Sequence, residues 1–190
     1  MKPPSQLAPW EIRESREVYA APPWMTVSIQ RVRLPDGREV ADYHQLQLLD
    51  YVIVFAQTPD GRVVVMRQYR HGVRGVSLLL PAGQLEKGEE PVACAERELR
   101  EETGYSGSDW QSLGSFVGDA NYGAGRAYIF KCRNAQRVGA PDTDDLEETE
   151  LMLLSVVELQ EAFRRGEVVV AGQALAVALA LSAWLTSNPA

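Results

Sequence analysis

Cysteine is nearly absent: Cys94 and Cys132 are the only two in 190 residues. That excludes a disulfide-stapled secreted scaffold and fits reduced thiols in a cytoplasmic protein. Histidine is equally sparse, and His44 and His71 lie too far apart in sequence to suggest a Cys/His zinc site. There is no excess of positive charge. Nineteen Lys and Arg stand against 26 Asp and Glu, a net charge of −7, a poor footprint for nucleic acid. A protein of this balance that handles phosphates needs a cation to mediate. One charge-free run occurs, the 18 residues Val168 to Leu185. Gly172, Gln173 and Ser182 interrupt it and six alanines dilute it, so it reads as a buried helix and not as a membrane span. The stretch Met1 to Trp10 is polar and Pro-rich, has no apolar signal core and reads as a loose tail. No repeat or low-complexity segment is present.

What remains is ordinary globular composition, 45% apolar and 24% charged, enough for a sizeable core. Val27 to Leu34 alternates like a half-buried strand and is followed by the turn signal Pro35-Asp36-Gly37; the strand pattern resumes over Gln45 to Leu49. Tyr51 to Ala56 and Val63 to Met66 are β-rich runs around Pro59-Asp60-Gly61, which predicts a hairpin. A glycine-bearing loop follows, then a helix over Pro91 to Thr103 with Gly104 as its stop. Further strands are expected at Gly114 to Val117, Ala127 to Cys132 and Leu151 to Val157. Helices are expected at Glu158 to Arg165 and Gln173 to Leu185, and an acidic loop at Ala140 to Glu150. Strands with interspersed helices indicate an α/β or α+β domain over 51–190, preceded by a tail and strands over 1–50.

The chemistry is concentrated in Pro81 to Tyr105, PAGQLEKGEEPVACAERELREETGY. At about 100° per residue Glu98 and Glu102 lie only about 40° apart on a helix. Two like charges on one ridge cost stability, and a cation between them is a natural compensation. Arg97 and Glu101 form a second i, i+4 pair suited to an ion pair that fixes the helix, while Val92, Ala95, Leu99 and Thr103 offer an apolar seam for packing. A solvated acidic helix laced with ion pairs is the ordinary fate of such a stretch. The spacing argues otherwise: Gly83, five residues, Glu89, seven residues, then Arg97-Glu98-Leu99-any-Glu101-Glu102-any-Gly104. By average residue usage this arises by chance on the order of once per billion start positions.

In that spacing the chain resembles the Nudix hydrolases at every fixed position; Tyr105 stands where an aliphatic residue is usual. The resemblance implies an α/β fold, an α/β/α sandwich around a mixed sheet with a loop-helix-loop catalytic motif. It further implies hydrolysis of a nucleoside diphosphate linked to another moiety, with Mg²⁺ or Mn²⁺ as cofactor. Carboxylate oxygens suit such hard cations, which neutralise charge on phosphate oxygens. By the same resemblance Glu98 and Glu102 are the principal metal ligands, the Ala82 carbonyl is a backbone ligand, and Glu89 and Glu101 lie near enough to serve further ions.

Met66-Arg67-Gln68-Tyr69-Arg70 and Leu80-Pro81-Ala82-Gly83 resemble the ADP-ribose pyrophosphatase and nucleotide-sugar hydrolase branch, which implies that Arg70 lies near substrate. After the box that branch supplies a glutamate from a loop before a late strand. Glu147-Glu148-Thr149-Glu150 occupies this place, with Glu150 matching a metal ligand and Glu148 a general base; Glu101 or a purely metal-bound hydroxide is the next candidate for the base. Arg126 either reaches a phosphate or starts the following strand. Two departures bear on substrate: Leu79 stands where many ADP-ribose enzymes have Glu, and Gly118 to Arg126 lacks their proline. The expected activity is therefore cleavage of ADP-ribose or another nucleotide sugar to a nucleoside monophosphate and a sugar phosphate. The alternatives are a catalytically silent nucleotide sensor and an enzyme for another nucleoside polyphosphate. Relatives in this branch are usually homodimers through their N-terminal strands, for which Trp24 to Leu34 and Tyr43 to Leu49 are apolar enough; strand pairing purely within one chain is the alternative for these runs.

Overall fold

A computed structural model describes residues 8–142 and 148–182. They fall into two compact units, one comprising the described residues through Leu49 together with Asp119–Gly125, the other Asp50–Gly118 with the described residues from Arg126 onward.

The first unit is an antiparallel sheet of β1 (Glu11–Ala21), β2 (Met25–Arg33) and β3 (Glu39–Leu48) in that order. Pro35-Asp36-Gly37 turns the chain between β2 and β3 as expected, with Leu34 N–H donating to the Arg38 carbonyl. Strand β1 is an addition, because its polar, charged sequence EIRESREVYAA carries no apolar alternation. Within this unit the 119–125 segment is tied to β3: Leu46 N–H donates to the Tyr122 carbonyl, and Tyr43 Oη to the Asn121 carbonyl.

In the second unit, β4 (Tyr51–Ala56) lies inside a mixed sheet ordered β7-β4-β9-β8, with β7 at Ala82–Gln84, β8 at Tyr105–Val117 and β9 at Arg126–Arg137. Its pairing with β9 is parallel. A second sheet runs β10-β5-β6, with β5 at Val63–Arg70, β6 at Gly75–Leu79 and β10 at Thr149–Leu154. The expected hairpin between the runs at 51–56 and 63–66 is corrected here. The Pro59-Asp60-Gly61 turn forms, with Thr58 N–H donating to Arg62, but only Gln57 and Val63 make a bridge. Both runs are apolar on both faces, so each becomes an interior strand of a different sheet and they part after the turn.

Three helices cover these sheets: α1 (Pro91–Thr103), α2 (Val156–Arg164) and α3 (Ala171–Leu181). Alternation along β4 divides the core. Val52, Val54 and Ala56 pack with Cys94, Ala95 and Leu99 of α1, whereas Ile53 and Phe55 pack with Leu159 of α2 and Ala176, Val177 and Ala180 of α3. Helices on opposite faces of the strands make the α/β/α sandwich. Helix α1 has the bounds expected for it and ends at Gly104 in the left-handed conformation, φ +72°. Strand β10 stops at Leu154, short of the expected Val157, because Ser155 caps α2. Among the described residues no helix is long and apolar enough to cross a membrane. Cys94 and Cys132 are buried free thiols, and desolvation pushes each up to about 12.

Candidate active site

Proline at the first position of α1 presets helical φ, and Cys94, Ala95 and Leu99 anchor one side of the helix in the core. The opposite ridge brings Arg97, Glu98, Glu101 and Glu102 towards β7 and the loop before α1. Arg97 is the hub. Its Nε and Nη2 donate to the two oxygens of Glu89 at 2.9 and 3.0 Å; its Nη1 donates to Glu98 Oε1 at 2.7 Å and Glu101 Oε2 at 3.0 Å. Nη2 also donates to the Gln84 carbonyl at 3.1 Å, which ties the helix to β7. The paired Arg97 bonds hold the Glu89 carboxyl down at about 2. Surrounded by carboxylates, Arg97 is itself held more firmly protonated than an ordinary arginine.

The two carboxylates expected to act together lie against consecutive residues of β7. Glu102, 9% exposed, accepts the Ala82 N–H on Oε2 at 2.7 Å. Glu98 fills the space over Gly83: a Cβ there would lie 1.9 Å from Glu98 Cδ and 2.1 and 2.2 Å from its oxygens. Glycine at this position is thus a packing requirement of the Glu98 carboxylate. Desolvation raises the Glu98 carboxyl, against the lowering effect of Arg97. A half-desolvated carboxylate cradled on a side-chain-free residue is a donor that a bound cation would stabilise.

The donor set therefore suits a hard divalent ion: oxygen ligands only, with Arg97 occupying one oxygen each of Glu98 and Glu101. Glu89 differs, because Arg97 takes both of its oxygens, and the structure presents it as a brace for Arg97 rather than as a ligand. Among the described residues no three His, Cys, Asp or Glu side chains converge into a ready cage.

The remaining sequence candidates are spread out. Glu150 is not brought to the box. It stands opposite Arg67 on β5, where Arg67 Nη1 meets its Oε2 at 3.1 Å. Period-two alternation puts it with Met152 and Leu154, which pack towards α2 and α3, while Leu151 and Leu153 face the α1 cluster. Strand register thus turns its side chain to the other face, which no spacing argument from the loop could have revealed. Glu148 is exposed and lines a cleft of about 580 Å³ with Arg67, Gln68, Tyr69, Thr149 and Glu150. Glu147 and the rest of 143–147 lie outside the described residues. Arg70 ends β5 opposite Gly75, and alternation places it on the α1 side with Val64. Arg126 starts β9, its N–H donating to Asp50 Oδ1 and its Nη1 to Ser115 Oγ at 3.1 Å.

Sequence reasoning did not single out Gln84, whose carbonyl is invisible in a side-chain pattern, or Gln68. Gln68 is 1% exposed and donates through Nε2 to Thr149 Oγ1, while its Oε1 has no partner among the described residues. Such an acceptor would be satisfied by a bound water or donor.

Residues 48–171 match the NUDIX domain, and residues 10–46 match the nucleoside diphosphate sugar hydrolase N-terminal domain. The chain is 29% identical over 140 residues to an ADP-ribose pyrophosphatase of Bacillus subtilis, covering 72% of each chain. It is 32% identical over 170 residues to a CMP-5'-(N-acetyl-N-hydroxy-3-aminopropyl)phosphonate hydrolase of Streptomyces rubellomurinus, covering 87% of this chain and 79% of that one. The solved structure of an ADP compounds hydrolase superposes with a TM-score of 0.79 at 18% identity, over 92% of this chain and 93% of that chain.

Proposed function

Because this chain belongs to the Nudix hydrolase family, we propose that it is a Mg²⁺-dependent pyrophosphatase of nucleoside diphosphate sugars, with ADP-ribose the first substrate to try. The observation that carries this reading is the pair Glu98 and Glu102, seated on Gly83 and Ala82 within the full box spacing. In it, water is added across the phosphoanhydride, and the products are a nucleoside monophosphate and a sugar phosphate.

Glu98, Glu102 and the Ala82 backbone would hold the cation, with Glu101 able to serve a further one. A cation held there would lower the pKa of water and neutralise charge on phosphate oxygens. Arg97 holds Glu98 and Glu101 in place, and Glu89 braces Arg97. Glu101 and Glu148 are the candidates for the general base; the exposed Glu148 borders the open cleft, and a base must come within hydrogen-bond reach of the water. Arg70 and Arg126 supply guanidinium groups for substrate phosphates. A cytoplasmic location is supported by the two free, buried thiols, which suit a reducing compartment. It assembles as a homodimer through the N-terminal sheet, whose Ile12, Tyr19 and Trp24 are exposed.

A second substrate class is favoured by the Streptomyces relative, which by name acts on a CMP-linked phosphonate. The deciding experiment is chromatography of products from a panel of ADP-, GDP-, UDP- and CMP-linked substrates, with Mg²⁺ and with chelator. Release of a nucleoside monophosphate only with the metal is expected. Failure to cleave any member would overturn the reading.

A further inference from the structure

The chain crosses from one sheet to the other at Leu80-Pro81, between β6, which pairs with β5, and β7, which pairs with β4. Residues at such a crossing lose their ladder partners, and Leu80 is 1% exposed, so water does not replace them. The partner comes from α3. Leu80 N–H donates to Gln173 Oε1 at 2.8 Å, and Gln173 Nε2 donates to the Leu80 carbonyl at 3.2 Å. One side-chain amide thus stands in for a missing strand on both its donor and its acceptor side. Gln173 is itself 5% exposed.

The next links lead into the site. The Pro81 carbonyl accepts Val54 N–H at 2.8 Å, and Ala82 N–H donates to Glu102 Oε2 at 2.7 Å. Gly83 then carries the Glu98 carboxylate. Two and three residues after the clamp, therefore, the backbone meets the paired glutamates, Ala82 at Glu102 and Gly83 at Glu98. The Nudix match ends at residue 171, so that resemblance assigns nothing to Gln173.

We infer that Gln173 is a positioning residue of the active site: by clamping Leu80 it fixes the Ala82 amide against Glu102, and with it the carboxylate geometry on which cation affinity depends. This rests on the hydrolase reading for its metal consequence, though not for the Ala82–Glu102 contact. Direct hydrogen-bond partners of metal ligands, as the Ala82 amide is of Glu102, typically carry about ten- to a hundredfold in metal affinity.

The test uses the full chain with three substitutions. Gln173→Met keeps the approximate volume and removes both hydrogen-bonding groups. Gly172→Ala keeps the Gln173 side chain but brings a Cβ 2.9 Å from Tyr51 Oη and 3.3 Å from Ile53 Cδ1, which strains the packing of the first turn of α3 on β4. Val177→Ala removes core volume from the same helix and from the apolar cluster that holds Leu80, but leaves both Gln173–Leu80 hydrogen bonds their donors and acceptors, and so serves as the control for destabilisation by lost packing alone. Amide exchange at Ala82 and calorimetric titration with MnCl₂ are read on each. Gln173→Met is expected to speed Ala82 exchange at least about tenfold beyond the control and to weaken Mn²⁺ binding about tenfold or more; Gly172→Ala moves both in the same direction by less. Ala82 exchange no faster than in Val177→Ala, in folded Gln173→Met and Gly172→Ala proteins, overturns the inference. If Gln173→Met does not fold, Gly172→Ala decides by the same criterion. A wild-type protein that binds no Mn²⁺ overturns the metal-dependent function instead, and Ala82 exchange alone then decides the role of Gln173.

Discussion

Strand β4 buries five of its six residues, whereas the described residues of the whole N-terminal unit bury one, Val32. Both regions are sheet, though the ladders of β4 run without a register shift and those of the N-terminal sheet carry three. What separates them is what covers the strands. Around β4, helices on both faces complete two apolar clusters from the chain's own residues. In the N-terminal sheet ten of the eleven β1 residues are exposed, and Trp24 is 65% exposed. Three strands without a buried face fall below what an isolated sheet needs for stability in water. The first region is self-sufficient, and the second is expected to gain order from a second copy of the chain. Variants in the two regions should therefore differ in kind: effects independent of protein concentration in one, concentration-dependent in the other.

The largest effect is expected inside the self-sufficient region. Glu102→Gln should lower turnover by about a hundredfold or more, the equivalent of roughly 3 kcal/mol of transition-state stabilisation. Its circular dichroism spectrum and oligomeric state should remain those of the wild type, because Gln can still accept the Ala82 N–H. Full activity in saturating Mg²⁺ would remove Glu102 from the chemistry. Next in size is Gly83→Ala, whose Cβ cannot coexist with the present Glu98 position. A loss of about tenfold or more in turnover is expected, since a displacement near 1 Å at a catalytic group can cost on the order of a hundredfold. A crystal structure of that variant with Glu98 unmoved and activity intact would contradict the cradle.

The concentration-dependent effect is smaller for each molecule. Ile12→Asp with Tyr19→Asp puts charge on side chains that are 59% and 55% exposed. Light scattering at micromolar concentration should give twice the 21.0 kDa chain mass for the wild type and the chain mass for the variant. Unfolding of the wild type should shift to higher temperature with concentration, and that of the variant should not. A wild type of single-chain mass would reject the homodimer and leave the sheet's exposure without this explanation.

The same contrast decides what the sequence revealed. Helix α1 was legible because its signals are local: Pro91 at the start, Gly104 at the end, and the buried seam of Ala95, Leu99 and Thr103 between them, although Val92, expected in that seam, is exposed and Cys94 is buried instead. The carboxylate ridge was legible for the same reason, since 3.6 residues per turn fixes the relation of Glu98 to Glu102 wherever the helix sits. Strand β1 was not, because its side chains are exposed on both faces and leave no alternation to read. The pairing of β4 and β5 was misread because an apolar run states that a strand is buried, but not which sheet buries it. The direction of the Glu150 side chain depends on register: one step along β10 separates the α1 face from the α2 face. Non-local pairing, rather than residue type, is what the sequence withheld.

The smallest effect tests self-sufficiency at its simplest, in a cap that needs no other region. Ser155 Oγ accepts Glu158 N–H at 3.2 Å, while Glu158 Oε2 accepts Ser155 N–H at 2.8 Å. This reciprocal pair satisfies two of the otherwise orphaned donors at the start of α2. Ser155→Ala should cost about 1 kcal/mol, read from urea unfolding at neutral pH, with no dependence on protein concentration. The Ser155 side chain and then its N–H lower the Glu158 carboxyl below its ordinary value. A depressed carboxyl contributes stability that is complete above its unfolded-state value and is lost as pH falls through the folded one. The gap between wild type and Ser155→Ala should therefore narrow on acidification from pH about 6 to below about 4. A gap that stays constant over that range would mean that the Glu158 charge takes no part in the cap. A gap that changes with protein concentration would show that even α2 leans on assembly, and the contrast between the two regions would fail.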